Sequence, residues 1–299
     1  MPGLADYSAQ SLLDWETGNV AMPALAARYL GLFTAMPTSD AGTGGTEVSG
    51  GAYARVQIAG NAATNGTTAS GNAVLHFAST PAWVVAGMTV RDNTAGSVIP
   101  AGTTVLSVTG TTVTMSANAT GGGVGSGDTI NFSAFPSSSA SSGTEPAVTP
   151  ASVASGAAIT FAQAMANWGT VVGFGIYDAL TSGNLINFDY VGAYGWLPAT
   201  MSAASPGVIT SDAHGYAAND NVVVTTKYGG TLPTFSQSNL TGLLVVVSPT
   251  TDAFTVTNGG TAVNTSSTGD FQVRKVLTQS VPSGITAAFA AGQLTLKVA

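Results

Sequence analysis

The sequence predicts a mainly β protein: a discontinuous β-sandwich-like body with a short N-terminal helix and two inserted small β-domains. Three observations lead there. Charged residues make up only 7% of the 299 residues, against about a quarter in an ordinary globular chain, so Thr, Ser, Asn and Gly must cover much of the surface. Short apolar runs, among them Tyr53 to Ile58, Val105 to Val108, Val113 to Met115, Val222 to Thr226, Leu243 to Val247 and Phe254 to Thr257, lie between Gly, Asn and Ser breaks. Their β-branched residues suit a pleated surface, and many short strands at near-regular spacing read as sandwiches or barrels. Finally, two Val- and Gly-rich stretches read as self-contained sets of antiparallel strands.

Taken in chain order, the helix comes first. Leu12, Leu13 and Trp15 follow candidate caps at Asp6 and Ser8, and Gly18 supplies a C-terminal stop. A second short helix is expected from Pro23 to Tyr29, with Pro in its first turn. The body then comprises residues 1–60, 155–204 and 277–299. The first insertion occupies 61–134, where Ser107 to Thr114 reads as a tight hairpin. A Ser-, Ala- and Pro-rich linker covers 135–154, and the second insertion covers 205–276. Surface turns tolerate such insertions because loop-closure entropy grows only logarithmically with length.

Composition narrows the function classes. A formal net charge of -7 disfavours nucleic acid, whose phosphates are bound by clustered Lys and Arg. The one dibasic pair, Arg274 and Lys275, reads as a solvated strand end. No window reaches the roughly 18 apolar residues of a spanning helix, so membrane insertion is not expected. The start, MPGLADYSAQSLLDW, has neither a basic nor an apolar leader region, and a soluble chain with no secretory address is expected. Cys is absent, which removes disulfides and thiolate metal sites.

Catalytic constellations are sparse. His76 sits in a strand-like run, and His214 in a turn-like Asp-Ala-His-Gly. A lone Asp–His pair without a third partner is a weak basis for a triad or metal site. The glutamates are Glu16, Glu47 and Glu145, and the aspartates stand mostly in turn contexts, so no carboxylate pair of glycosidase type is identifiable. The glycine run from Gly121 to Gly127 lacks the Lys-Ser/Thr of a phosphate loop and reads as a turn. No catalytic residue, cofactor or metal is therefore expected. Aromatics are more suggestive: Tyr177, Phe188, Tyr190, Tyr194 and Trp196 cluster between residues 173 and 198. Tyr190, Tyr194 and Trp196 are the candidates for surface or glycan contact. Leu12, Leu13 and Trp15 are the candidates for an assembly contact.

Three stretches carry a family resemblance: YLGLFTAMPTSDAGTGGTEVSGGAYARVQIAG (Tyr29 to Gly60), AAITFAQAMANWGTVVGFGIYDALTSGNLINF (Ala157 to Phe188) and the closing SVPSGITAAFAAGQLTLKVA. Together they resemble minor virion structural proteins of bacteriophage and prophage, of tail-fibre type. The resemblance implies a virion protein made in the host cytoplasm, a tail location ahead of a head location, and contacts with other virion proteins. Exposed β edges must be paired or covered, so a homo-oligomer is expected, a trimer favoured, or copies docked on a symmetric ring, and a hydroxyl-rich, weakly charged surface suits contact with a host cell-surface glycan. Fibre, spike and baseplate component are the expected roles. A capsid decoration protein is the alternative, and a polysaccharide-degrading enzyme ranks behind both. The chain lacks a collagen-like or heptad shaft, so a compact appendage is expected.

Overall fold

A computed structural model describes residues 3–20, 27–39, 41–95, 98–136, 152–192, 195–236 and 243–297. The fold is mainly β, with one helix, Asp6–Glu16, among the described residues. Most of the expected strands form: Val105–Thr109 and Thr112–Met115 make the anticipated hairpin, and Val56–Ala63, Asn221–Thr231, Leu244–Val247 and Ala253–Asn258 take the other apolar runs. The expected second helix does not form where it can be seen. Arg28 and Tyr29 open the strand Arg28–Ala35, and residues 23–26 lie outside the described residues, as does most of the linker. Pairing of Tyr29 with Tyr177 on one side and Gln57 on the other outweighs any local helical preference.

The largest sheet is antiparallel and eight-stranded. Its main path runs Gly3–Leu4, Leu185–Tyr190, Gly173–Tyr177, Arg28–Ala35, Val56–Ala63, Thr129–Ser133 and Thr89–Asp92, with Thr46–Glu47 paired beside Arg28–Ala35. Residue 61, where the first insertion was expected to begin, falls inside Val56–Ala63. The insertion's strands Thr129–Ser133 and Thr89–Asp92 extend the same sheet. Three two-stranded ladders then bring the C-terminal residues back: Ser152–Ala154 with Thr295–Lys297, Ile159–Gln163 with Thr286–Phe289, and Thr170–Val171 with Gln279–Ser280.

The period of two along a strand decides which core each side chain enters. On Arg28–Ala35, Leu30 and Leu32 join a large apolar cluster with Ile58, Phe132, Phe161, Trp168 and Phe174. Phe33 points into a second, smaller cluster with Val172, Tyr177 and Phe188. Central strands with apolar groups on both faces lose the alternation of a half-buried strand, which is why all five residues of Gly173–Tyr177 are buried.

A second sheet closes on itself. Its order is Ile209–Thr210, Leu197–Met201, Gly269–Val276, Asn221–Thr231, Leu244–Val247 and Ala253–Asn258, and Ile209–Thr210 also pairs with Ala253–Asn258. Six strands thus form a small antiparallel barrel, with Thr261–Ala262 added outside the ring. Closure pairs backbone groups that an open edge would expose. Met201, Ile209, Val222, Leu244, Val246, Phe254, Phe271 and Val273 fill the interior. The ring uses Leu197–Met201, which lies upstream of residue 205.

Candidate functional site

Three places bear on function: the N-terminal helix, a polar lock built from the resemblance-bearing motifs, and the junction between barrel and body. In the helix, Asp6 is the first helical residue and Ala5 stands at the N-cap with no side-chain cap bond. The expected capping by Asp6 and Ser8 is therefore corrected: the Ser8 hydroxyl donates to the Ala5 carbonyl oxygen at 2.9 Å. The expected stop at Gly18 holds, with φ at +77° in the left-handed region. The helix buries none of its residues. Leu12, Leu13 and Trp15 are 40%, 59% and 40% exposed, an arrangement that leaves their apolar surface available to a neighbour.

The lock is centred on Glu47. Its carboxylate accepts two bonds from the Arg55 guanidinium and one, at 2.9 Å, from the Tyr53 hydroxyl. Tyr53 oxygen in turn accepts from the Leu32 backbone N–H at 2.8 Å. The Arg55 guanidinium lies 3.3 Å from the Tyr177 ring centroid, a cation–π contact. Burial raises the Tyr53 hydroxyl well above the usual tyrosine range, reinforced by the nearby Glu47 charge. Burial pulls Arg55 down, but its bonds to Glu47 and that carboxylate's charge outweigh it, so its net shift is upward. Tyr53 packs edge-on to Trp168, with centroids 5.3 Å apart, and stacks on Phe161 at 6.1 Å. The Trp168 indole N–H donates to the Gly51 carbonyl oxygen at 3.1 Å. Gly51 itself has φ at +54°, and a Cβ there would stand 2.7 Å from the Ala166 backbone nitrogen. The first two resemblance-bearing stretches thus meet in one place, and their polar residues hold the body together. Glu47 appeared in the sequence as an isolated carboxylate; its Tyr53 and Arg55 neighbours in the same motif were the available signal.

The junction gathers the aromatic candidates. Asp189, on Leu185–Tyr190 of the large sheet, pairs with Arg274, on Gly269–Val276 of the barrel. Arg274 is 4% exposed, so its reading as a solvated strand end is corrected. Its guanidinium lies 4.5 Å from the Trp196 ring centroid and 5.2 Å from that of Tyr190. Lys275 holds Asp220 at 2.7 Å. Tyr190 and Trp196 are half-buried, and Tyr194 lies outside the described residues. Tyr177 and Phe188 are core residues of the smaller cluster.

Beside Trp196 opens a cavity of about 310 Å³, lined by Gly195, Trp196, Leu197, His214, Gly215, Tyr216 and Lys275. His214, expected in a turn, is there, and it is 6% exposed. Its Nδ1 accepts the Tyr216 backbone N–H at 2.9 Å. The preceding turn is tied by Asp252, which accepts from the Ala213 N–H at 2.9 Å. His76 lies on the strand Val74–His76, as expected. Other aspartates serve turns: Asp178 accepts from the Asn184 N–H, and Asp220 from the Ala217 N–H. Among the described residues no group of three or more His, Asp or Glu is placed to hold a metal ion, and no helix is long and apolar enough to cross a membrane.

Residues 3–135 match the family model described as Podophage GP4 fiber I protein gp80. That span contains the helix, the Glu47–Tyr53–Arg55 lock and five of the eight strands of the large sheet, plus a sixth in Gly3–Leu4 at its edge. Comparison with curated proteins and with solved structures finds no match. Over residues 3–135 the chain is thus similar to a phage tail-fibre-type protein family, in line with the resemblance that its motifs carry.

Proposed function

We propose that the protein is a compact tail appendage that docks through its N-terminal helix, assembles as a homotrimer and touches the host surface. The observation that carries the docking half of this reading is the helix Asp6–Glu16, which buries no residue yet presents Leu12, Leu13 and Trp15. An isolated 11-residue helix is marginal in water, so its apolar side gains most from a partner. Asp6, Asp14 and Glu16 give it an acidic rim without a basic residue. Copies of this helix would repel one another, and the complementary partner is an apolar groove with a basic margin on another virion protein. Contact with a host glycan is assigned to the junction, where Tyr190 and Trp196 are part-exposed.

The test is copy number per particle, by quantitative mass spectrometry against the major capsid protein. A small multiple of three or six is expected for a symmetric tail. Hundreds of copies in simple ratio to the capsid subunit would make the protein a head decoration instead. In particles carrying Leu13→Glu with Trp15→Glu, the protein is expected to fold normally yet fail to be incorporated. Incorporation at the normal level would end the docking assignment.

A further inference from the structure

We propose that the cavity beside Trp196 binds one neutral hexopyranose unit. The proposal deepens the host-contact reading above and rests on it for biological meaning.

Four features of the cavity lead to that ligand class. The first is an unsatisfied donor. Because His214 Nδ1 accepts from the Tyr216 N–H, the ring proton resides on Nε2. That Nε2 is buried and has no hydrogen-bond partner. Nε2 has no exposed surface, so a ligand hydroxyl oxygen pairs with it only where the ring tips toward the cavity, which would satisfy an otherwise costly buried donor.

The second feature is rigidity. Ala213 holds φ at +45°, a left-handed conformation that non-glycine residues seldom adopt. It is kept there by its N–H bond to Asp252, while the Ser211 N–H donates to the Asp252 carbonyl oxygen and the Ser211 hydroxyl to the Pro198 carbonyl oxygen, each at 2.9 Å. The imidazole packs against both Tyr216 and Phe254, with centroids 4.9 Å and 4.8 Å away. Strain of this kind persists where the surroundings over-determine it, and it clusters at ligand sites.

Third, the lining is amphipathic. Trp196 offers an aromatic surface for the C–H face of a pyranose, held in place by the Arg274 guanidinium. Tyr216 keeps its hydroxyl neutral, since burial and the Asp220 charge push it up to about 12. Lys275 is the cationic member of the lining, and Asp220 already neutralises it. A neutral ligand therefore fits better than an anion. Finally, about 310 Å³ stands at the small end of the 300–1,000 Å³ range of ligand pockets, which suits a single sugar ring.

The experiment is saturation-transfer NMR on the purified full chain with D-glucose, D-galactose, N-acetyl-D-glucosamine and L-rhamnose, alongside inorganic phosphate. At least one sugar is expected to receive saturation and to shift the His214 ring resonances. Trp196→Ala should weaken that binding by about tenfold or more, equivalent to about 1.4 kcal/mol. His214→Phe should do the same; Trp196→Ala carries the test if that variant does not fold, because Trp196 is only half-buried. No response to any of the sugars, binding untouched by Trp196→Ala, or a response to phosphate alone would overturn the proposal. Sugar binding by a protein found in hundreds of copies on the head would leave the pocket assigned and remove the tail reading. A tail protein that ignores every sugar would do the reverse.

Discussion

The Arg55 guanidinium grips the Glu47 carboxylate with two bonds, Nε to Oε1 at 2.8 Å and Nη2 to Oε2 at 2.7 Å, while Nη1 donates to the carbonyl oxygens of Ala179 and Ser182. One side chain so joins the Thr46–Glu47 strand to a turn more than a hundred residues away. The Arg55 side chain is 9% exposed, and removing its counter-charge leaves a desolvated cation. Glu47→Ala is therefore expected to destabilise the protein by about 3 kcal/mol, and Glu47→Gln, which keeps acceptor oxygen, by less. Urea denaturation of the two variants checks this. Equal midpoints for wild type and Glu47→Ala would mean that the lock contributes nothing.

The Arg274–Asp189 pair should behave asymmetrically. Asp189→Ala strands a buried guanidinium whose Nε already lacks a partner, and a loss of about 3–5 kcal/mol is expected. Arg274→Met removes the charge and keeps an apolar stem between Trp196 and Tyr190. It leaves Asp189 unpaired, but that side chain is 14% exposed against 4% for Arg274 and keeps the bond from the Tyr190 N–H, so the expected cost is smaller, about 1–3 kcal/mol. Thermal melts of both variants decide the matter, and a larger loss for Arg274→Met would refute this account of the junction.

Alkaline pH should weaken the fold through its tyrosines. Burial raises Tyr53, Tyr177, Tyr190 and Tyr216, the last up to about 12. An unfolded tyrosine titrates near 10. Below that pH both states hold the proton and the stability is fully present. Above it the unfolded chain ionises first, so stability falls as pH rises through 10 towards 12. Denaturant midpoints taken from about pH 8 to about pH 11.5 should decline, and Tyr216→Phe should decline less steeply. A flat profile over that interval would contradict the burial of these hydroxyls.

How much of this was legible beforehand depends on the range of the interaction. Val105 to Met115 announces its hairpin because both strands and the turn are local. The closing of the barrel is not legible, since it depends on Ile209–Thr210 pairing with both Leu197–Met201 and Ala253–Asn258. Arg28 and Tyr29 look helical only until the partners Ala59 and Tyr177 are in place. Of the candidate contacts, Leu12, Leu13 and Trp15 lie on a helix that buries none of its residues. His214 reads as a turn residue in the chain, and the cavity around it is assembled with Trp196, just before the strand Leu197–Met201, and Lys275 on Gly269–Val276.

The barrel supplies the last prediction. All seven strands of its sheet lie between Leu197 and Val276, and its apolar interior is drawn from the same interval. A fragment of residues 197–276 is therefore expected to fold alone and unfold cooperatively. A fragment of residues 61–134 should not, because the cut at 61 removes Ala59 and Gly60, the partners of Ser133 and Phe132. It also strips the large apolar cluster of Leu30, Leu32 and Ile58, which Phe132 shares. Dispersed NMR spectra and a sigmoidal urea transition for 197–276, with neither for 61–134, would establish that the second insertion is a domain and the first a part of the body. Cooperative unfolding of 61–134 on its own would show instead that its internal contacts, such as Phe77 against Phe132 at 5.9 Å, suffice without the shared sheet.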